Sequence, residues 1–196
     1  MMKKWKYKTP GIPDEMFIRR DVPMSKEEIR AVVISKLRLK ADQIVYDIGA
    51  GTGSISIEAA CQVDDGMVFA VERKKKGVNL IKKNKNKFNL GNIEIVRGRA
   101  PEKLVDLPCP DRVVIGGSGG HLEEILKLVD QKLNNGGRIV ITAVTINTLN
   151  SAFNCFSNLN YSLDVCNIAV TRTKEVADYH MFKALNPIYI ISAKRR

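Results

Sequence analysis

The feature that most constrains this chain is a glycine-rich turn directly after a short apolar strand. Residues 44–48 are mostly β-branched and predict a buried strand, while residues 56–61 predict a helix. Between them, Gly49, Gly51 and Gly53 stand in a GxGxG pattern. Glycines at such a turn let the backbone approach a ligand closely, although a turn without a ligand explains the same residues.

A carboxylate on the next strand favours the ligand-binding interpretation. Residues 67–71 predict a second strand, and Glu72 ends it, 19 residues after Gly53. A carboxylate at that position can accept hydrogen bonds from both hydroxyls of a ribose. Ser54 stands where a dinucleotide fingerprint has its third glycine, and the loop lacks the Lys-Ser/Thr pair of a P-loop. The turn and Glu72 therefore predict a nucleoside cofactor other than a dinucleotide.

The rest of the chain alternates between strand and helix patterns. Residues 25–28 (Ser-Lys-Glu-Glu) fit a capping box at the start of a helix with one apolar face. The alternation predicts an α/β fold with a mainly parallel sheet and helices on both faces, and 196 residues suit a single domain over residues 1–196. The further strands are expected at residues 93–96, 112–115, 138–142, 162–171 and 188–193, and the further helices at residues 73–88, 122–133 and 148–157.

Positive charge is concentrated in the helix that follows the second strand. The net charge is +11, and residues 73–87 contain eight basic residues and no acidic one. Val78, Ile81 and Phe88 give this helix one apolar face, so the lysines form the other. A solvated face is the simpler interpretation, and a site for nucleic acid or for a polycarboxylate is the alternative. We expect the helix to pack on the flank of the sheet, away from the ligand cleft.

Cysteine spacing and hydropathy restrict the compartment. The four cysteines have no CxxC spacing and no nearby histidine, so we expect no metal site and reduced, mostly buried thiols in a cytoplasmic protein. No signal peptide is predicted at the basic start of the chain. The longest stretch without charge, residues 139–163, is rich in Asn, Ser and Thr, so no membrane span or membrane partner is expected.

The glycine turn also resembles a known cofactor motif. With Asp47 two residues ahead of Gly49, it resembles motif I of the class I S-adenosylmethionine methyltransferases. This resemblance implies a Rossmann-like, seven-stranded sheet whose last strand is antiparallel, with Asp47 near the amino-acid end of the cofactor and Ala100 near its adenine. The residues that it implies for binding S-adenosylmethionine are Asp47, Gly49, Ala50, Gly51, Thr52, Gly53, Glu72 and Ala100.

A second glycine loop after the fourth strand bears on the methyl acceptor. Methyltransferases that act on exocyclic amines commonly carry Asn/Asp-Pro-Pro-Tyr/Phe there, whereas this chain has a loop of Gly116, Gly117, Ser118, Gly119 and Gly120. A flexible turn explains the glycines by itself. As a functional interpretation, the loop lets a large flat substrate lie close to the methyl group.

An ordered set of motifs resembles one family over nearly the full length of the chain. The chain is similar to the decarboxylating cobalt-precorrin-6B methyltransferases of cobalamin biosynthesis. The resemblance implies methyl transfer to carbon-15 of a cobalt-precorrin tetrapyrrole, decarboxylation of its ring C acetate, and a homotetramer. It also implies that residues 1–24 lie near the cleft and that the region of Ser25, where the family more often has Thr, helps to hold the cofactor. The matching segments are residues 11–15, 23–30, 47–53, 115–120, 143–145 and 186–189.

The catalytic residues are not identified by the sequence. His121, at a helix start beside the second glycine loop, is a weak candidate for a proton carrier, and His180, in the connection between the last two strands, is a weaker one. Ser25 is interpreted equally well as a helix cap. The alternative enzyme is an RNA methyltransferase that uses the lysine-rich helix for phosphate contacts, although no nucleic-acid partner is expected. A binding protein that uses the cofactor site as a sensor is a third hypothesis.

Overall fold

Seven strands form one sheet in the computed structural model, which describes residues 5–196. Their order is β3-β2-β1-β4-β5-β9-β6, and β9 alone runs in the direction opposite to the other six strands. The predicted Rossmann-like fold with an antiparallel last strand is confirmed. The strands are β1 (Ile44–Ile48), β2 (Met67–Glu72), β3 (Ile93–Arg97), β4 (Arg112–Ile115), β5 (Arg138–Ala143), β6 (Tyr161–Ile168) and β9 (Ile188–Arg195).

Five helices cover the two faces of the sheet. One apolar cluster joins α1, α2 and α3 to one face, and a second joins α4 and α5 to the other. Successive residues of β1 belong to different clusters, Val45 to the first and Tyr46 to the second, because side chains alternate along a strand. Burial on both faces explains the β-branched runs of the central strands. The helices are α1 (Glu27–Leu37), α2 (Ser54–Ala60), α3 (Lys75–Phe88), α4 (Leu122–Lys132) and α5 (Ile146–Ser157).

The segment after β6 corrects one expectation. Where a single strand over residues 162–171 and then a connection were expected, β6 ends at Ile168 and a separate hairpin follows, formed by β7 (Thr171–Val176) and β8 (Tyr179–Ala184). His180 therefore lies in a strand of this hairpin. Its residues are almost all exposed, so no apolar alternation marks the strands, and the turn at Ala177 (φ 52°) lacks the Asn-Gly pair typical of hairpins.

A buried ion-pair network attaches the amino-terminal segment to the fold. Arg30 of α1 is fully buried, and its guanidinium donates to Glu58 of α2 at 2.8 Å and to Asp14 at 2.7 Å. Further N–H groups of Arg30 donate to the backbone carbonyls of Ser25 and Ile12. Charges buried in this way remain stable because each has a partner of opposite charge. The network holds residues 11–25 against α1 and α2.

The predicted capping box at the start of α1 is wrong. The N-cap residue is Lys26, and no side chain caps the helix. Ser25 instead precedes the cap, where its carbonyl accepts a hydrogen bond from Arg30. Burial of Arg30 thus determines the local path of the chain more strongly than the capping preference of serine.

Two further expectations concern cysteines and membranes. The cysteines are less buried than predicted, since Cys109 is exposed and the other three are partly buried. Within residues 5–196, no helix combines the length and the apolar character needed to cross a bilayer. The part of the basic start formed by residues 1–4 lies outside the described residues.

Candidate active site

The two glycine loops meet at the carboxyl ends of β1 and β4. Gly49, Gly51 and Gly53 all have positive φ, which side chains other than glycine rarely adopt. A Cβ on Gly49 would lie 2.4 Å from the carbonyl oxygen of Gly117, so only a glycine fits between the loops. This close approach brings the predicted cofactor loop and the predicted substrate loop to opposite sides of one opening.

Glu72 lies at the end of β2 and faces the same opening. It is 7% exposed, and its carboxylate accepts hydrogen bonds from the backbone amides of Gly51 at 2.9 Å and Lys74 at 2.7 Å. Each carboxylate oxygen has a second lone pair, so both can still accept a hydroxyl group. The donors fix the carboxylate in place, and the remaining acceptor capacity fits the two hydroxyls of a ribose.

Gly77 in the first turn of α3 makes room for this carboxylate. A Cβ there would lie 2.7 Å from Cγ of Glu72 and 2.9 Å from the carbonyl oxygen of Gly51. Real Cβ atoms essentially never approach other atoms so closely. The absence of a side chain at Gly77 is therefore a requirement of the site, which sequence reasoning missed.

A cleft of about 810 Å³ lies between these elements. Ligand sites typically measure about 300–1,000 Å³, so this one has room for a nucleoside cofactor together with part of an acceptor. Four of the predicted cofactor residues lie on its wall, namely Gly49, Gly51, Glu72 and Ala100. Four residues of the predicted substrate loop lie there too, namely Gly116, Gly117, Ser118 and Gly119.

The other loop residues predicted to bind cofactor lie behind the cleft wall. Ala50 packs against the apolar core, and Thr52 is buried. Gly53 faces α3, since a Cβ there would lie 3.0 Å from Cγ1 of Ile81. These three residues shape the loop, while Gly120 lies just beyond the residues that line the cleft.

Asp47 is buried beneath the glycine loop and does not line the cleft. It is 1% exposed, and its carboxylate accepts a hydrogen bond from the hydroxyl of Ser56 in α2. Burial raises the pKa of Asp47 to about 6, since desolvation disfavours the charged form, while the hydrogen bonds from Ser56 act in the opposite direction. From this position Asp47 ties the end of β1 to the start of α2.

Ser25 is absent from the cleft wall, but the segment just before it is present. Asp21, Val22 and Pro23 line the cleft near Gly51. The segment is held by Asn84, whose side-chain amide exchanges hydrogen bonds of 2.8 and 3.0 Å with the backbone of Ile18. Sequence reasoning missed Asn84, although its place on the apolar face of a lysine-rich helix was a detectable signal.

The lysine-rich helix corrects a further expectation. Rather than lying wholly on the flank of the sheet, it begins at the cleft, and residues 73–77 form part of the wall. Arg99, after β3, lies on the wall as well. The cleft is therefore bordered by positive charge, whereas the lysines further along α3 lie outside it.

The two histidines differ in their distance from the cleft. His121 does not line it, but its Nε2 lies 3.3 Å from Nη1 of Arg99, which does. His180 lies on the exposed hairpin, 4.0 Å from a carboxylate oxygen of Glu175. Among residues 5–196, no group of three or more His, Cys, Asp or Glu side chains is arranged to hold a metal ion.

The fold and the site together define the class I S-adenosylmethionine-dependent methyltransferase fold. The seven-stranded sheet with one antiparallel strand and helices on both faces is the arrangement of this fold. The more specific assignment comes from similarity to known proteins.

A family model described as the precorrin methyltransferase domain matches residues 15–195. A Pyrobaculum calidifontis protein named probable cobalt-precorrin-6B C(15)-methyltransferase (decarboxylating) is 42% identical over 192 residues, covering 96% of this chain and 98% of that protein. The chain therefore belongs to the precorrin methyltransferase family.

Two solved structures agree with this assignment. The precorrin-6y C5,15-methyltransferase from Geobacter metallireducens is 44% identical, with a TM-score of 0.91, over 96% of this chain and 100% of that one. The precorrin 8W decarboxylase from Methanobacterium thermoautotrophicum is 31% identical, with a TM-score of 0.87, and the match covers 92% of this chain and 98% of that one. The predicted family resemblance is confirmed.

Proposed function

We propose that this protein transfers a methyl group from S-adenosylmethionine to carbon-15 of cobalt-precorrin-6B and decarboxylates the ring C acetate, as a step of cobalamin biosynthesis. The observation that carries the proposal is the match, over nearly the whole length of both chains, to relatives named for this reaction. The names of these relatives combine methyl transfer with decarboxylation, which supports a two-part reaction catalysed by one protein.

The cofactor-binding role is assigned to the side of the cleft formed by the first glycine loop. Glu72 would accept the ribose hydroxyls, the backbone of Gly49 and Gly51 would contact the amino-acid portion, and Ala100 would contact the adenine. When bound, S-adenosylmethionine supplies an electrophilic methyl group. The task of the protein residues is then to align the acceptor carbon with that methyl group.

The acceptor role is assigned to the wall formed by the second glycine loop. Gly116 and Gly117 have no side chain to hold a flat macrocycle away from the methyl group. In the second half of the reaction, the acetate loses carbon dioxide, its bonding electrons pass into the conjugated ring, and a proton must reach the carbon left behind. His121 remains a candidate for handling that proton, next to Arg99 at the edge of the cleft.

We further propose that the protein is a homotetramer in the cytoplasm. The hairpin supports assembly because Phe182 is 83% exposed, and Tyr179, Met181 and Val176 beside it are exposed too. Apolar side chains grouped on an exposed hairpin are typical of an interaction surface. An exposed, reduced thiol at Cys109 suits a reducing compartment.

RNA methylation is less well supported. The first turn of α3 does border the cleft, which removes one objection to a role for its basic residues. Six relatives that are 38–42% identical to this chain are all named for a cobalt-precorrin substrate. A sensor that only binds the cofactor would have no use for the acceptor side of the cleft.

The test is turnover of a defined substrate. The purified protein is incubated with S-adenosylmethionine and with cobalt-precorrin-6B made by the preceding pathway enzymes, and the corrinoid mass is followed. The proposal predicts a product that gains one methylene unit and loses one carbon dioxide. An unchanged corrinoid mass with cofactor bound would refute the proposed substrate and leave the fold assignment intact. The matched control is Glu72→Gln, in which we expect turnover to fall at limiting cofactor.

A further inference from the structure

Four basic side chains line the cleft without an acidic partner. We call this group the basic rim, and it consists of Arg73, Lys74, Lys75 and Arg99. All four are exposed, and within residues 5–196 none forms an ion pair. Lys76 also lines the cleft, but it is paired with Asp21 at 3.2 Å.

The two arginines of the rim lie beside the second glycine loop. Arg73 directly follows Glu72, and its guanidinium lies beside Gly119, where an added Cβ would be 3.6 Å from Cζ. Arg99 follows β3 and precedes Ala100 on the wall. Nη1 of Arg99 also lies 3.3 Å from Nε2 of His121, the residue directly after the second glycine loop. Both arginine side chains therefore lie next to the wall assigned to the acceptor.

The charges at the start of α3 do not stabilise this helix. The amino end of a helix carries partial positive charge, so acidic residues stabilise the first turn and basic residues destabilise it. In α3 the N-cap is Lys74 and the first helical residue is Lys75, no acidic residue lies in the first turn, and no side chain caps the helix. Where local rules are broken without a compensating contact, the usual reason is a functional site.

We propose that the basic rim binds the peripheral carboxylates of the tetrapyrrole substrate, an inference that rests on the proposed function. Cobalt-precorrins carry many acetate and propionate groups around a flat ring. Arginine binds carboxylates through two parallel hydrogen bonds, and lysine does so as a point charge. The rim holds the ring against the second glycine loop, and Arg73 and Arg99 contribute most because their planar groups fix its orientation.

The variant Arg73→Gln/Arg99→Gln tests this inference, with Lys82→Gln/Lys83→Gln as the control. The control removes the same charge from exposed positions of α3 that do not line the cleft. We expect the KM for cobalt-precorrin-6B to rise about fivefold for each arginine and about 20-fold for both. The affinity for S-adenosylmethionine, measured by calorimetry, should change less than about twofold, as should both parameters in the control. Raising the salt concentration should increase the KM of the wild type more steeply than that of the rim variant.

The outcomes separate this inference from the proposed function. Normal turnover in the wild type with no rise in KM in the rim variant would overturn the rim alone. A loss of cofactor affinity in the rim variant with an unchanged KM would overturn it too, because the arginines would then hold the cofactor's own carboxylate.

Failure of the wild type to turn over the corrinoid would refute the proposed function. Binding of uroporphyrin, a polycarboxylate tetrapyrrole, would then still test the rim. Weaker uroporphyrin binding in the rim variant than in the control supports a polycarboxylate site. Equal uroporphyrin binding by the rim variant and by the control would overturn the inference. Tight binding of a single-stranded RNA, weakened to the same extent in the rim variant and in the control, would overturn it as well.

Discussion

Replacing Gly77 with alanine has two opposing effects on stability, a gain from helix propensity and a loss from steric overlap with Glu72. Alanine in a helix interior is more favourable than glycine by roughly 0.5–1 kcal/mol, so propensity alone predicts a more stable protein. The added Cβ would lie 2.7 Å from Cγ of Glu72 and 2.9 Å from the carbonyl oxygen of Gly51. Overpacking of this kind costs about 1–3 kcal/mol, so we expect a net destabilisation of about 1–2 kcal/mol.

The same change should weaken cofactor binding. Glu72 can relieve the contact only by moving away from the amides of Gly51 and Lys74 that now position it. A hydrogen bond to a charged group contributes about 1.5–3 kcal/mol, so losing one such bond to the ribose predicts a Kd for S-adenosylmethionine at least about tenfold higher.

Urea denaturation and titration calorimetry measure the two effects. Gly91→Ala is the matched control, because Gly91 has ordinary backbone angles and no atom within 4 Å of an added Cβ. We expect the control to keep or slightly increase stability and to bind the cofactor normally. A Gly77→Ala protein more stable than the wild type, with the same cofactor Kd, would show that this account of the site is wrong.

Four further substitutions test other parts of the account. In Glu72→Gln one acceptor oxygen is replaced by an NH2 group that faces a backbone N–H donor. Calorimetry should then show a cofactor Kd at least about tenfold higher, and an unchanged Kd would show that Glu72 does not bind the cofactor. Arg30→Met leaves Glu58 and Asp14 without their buried partner, so urea denaturation should show a loss of about 3–5 kcal/mol, and a loss below about 1 kcal/mol would contradict the network. Burial raises the pKa of Asp47 to about 6, above its value in the unfolded chain. The free energy of unfolding of the wild type should therefore fall as the pH rises from about 4 to about 6 and Asp47 ionises. The free energy of unfolding of Asp47→Asn, relative to that of the wild type, should rise by on the order of 3 kcal/mol between pH 4 and pH 7. A difference between the two proteins that does not change with pH would refute the shift. Phe182→Ser should lower the assembly mass in sedimentation equilibrium while Lys183→Ser does not, and an unchanged mass would exclude the hairpin from the interface.

The fold was predictable because its central elements obey local rules. The central strands β1 and β4 are buried on both faces, so their apolar runs stand out from the amphipathic helices. The hairpin of β7 and β8 was missed because exposed strands leave no apolar alternation to detect. The cap of α1 was mispredicted because burial of Arg30, which depends on contacts with Glu58 and Asp14, directs the backbone there.

The site was predictable to the extent that it is built from short motifs. The GxGxG turn and Glu72 lie close together in sequence, and each has a local chemical reason. For Asn84 the sequence signals only a polar residue on the apolar face of α3, and not its partner Ile18, which is 66 residues away. The place of Arg73 on the cleft depends on how the start of α3 packs against the sheet, which a local sequence pattern does not describe.

The position of the new carbon atom tests the central claim most directly. The protein is supplied with cobalt-precorrin-6B and with S-adenosylmethionine labelled with carbon-13 in its methyl group, and the product is analysed by NMR. The account predicts a single enriched methyl group at carbon-15 and an unlabelled methyl group on ring C in place of the acetate. Enrichment at any other carbon, or an intact ring C acetate after complete methyl transfer, would contradict it.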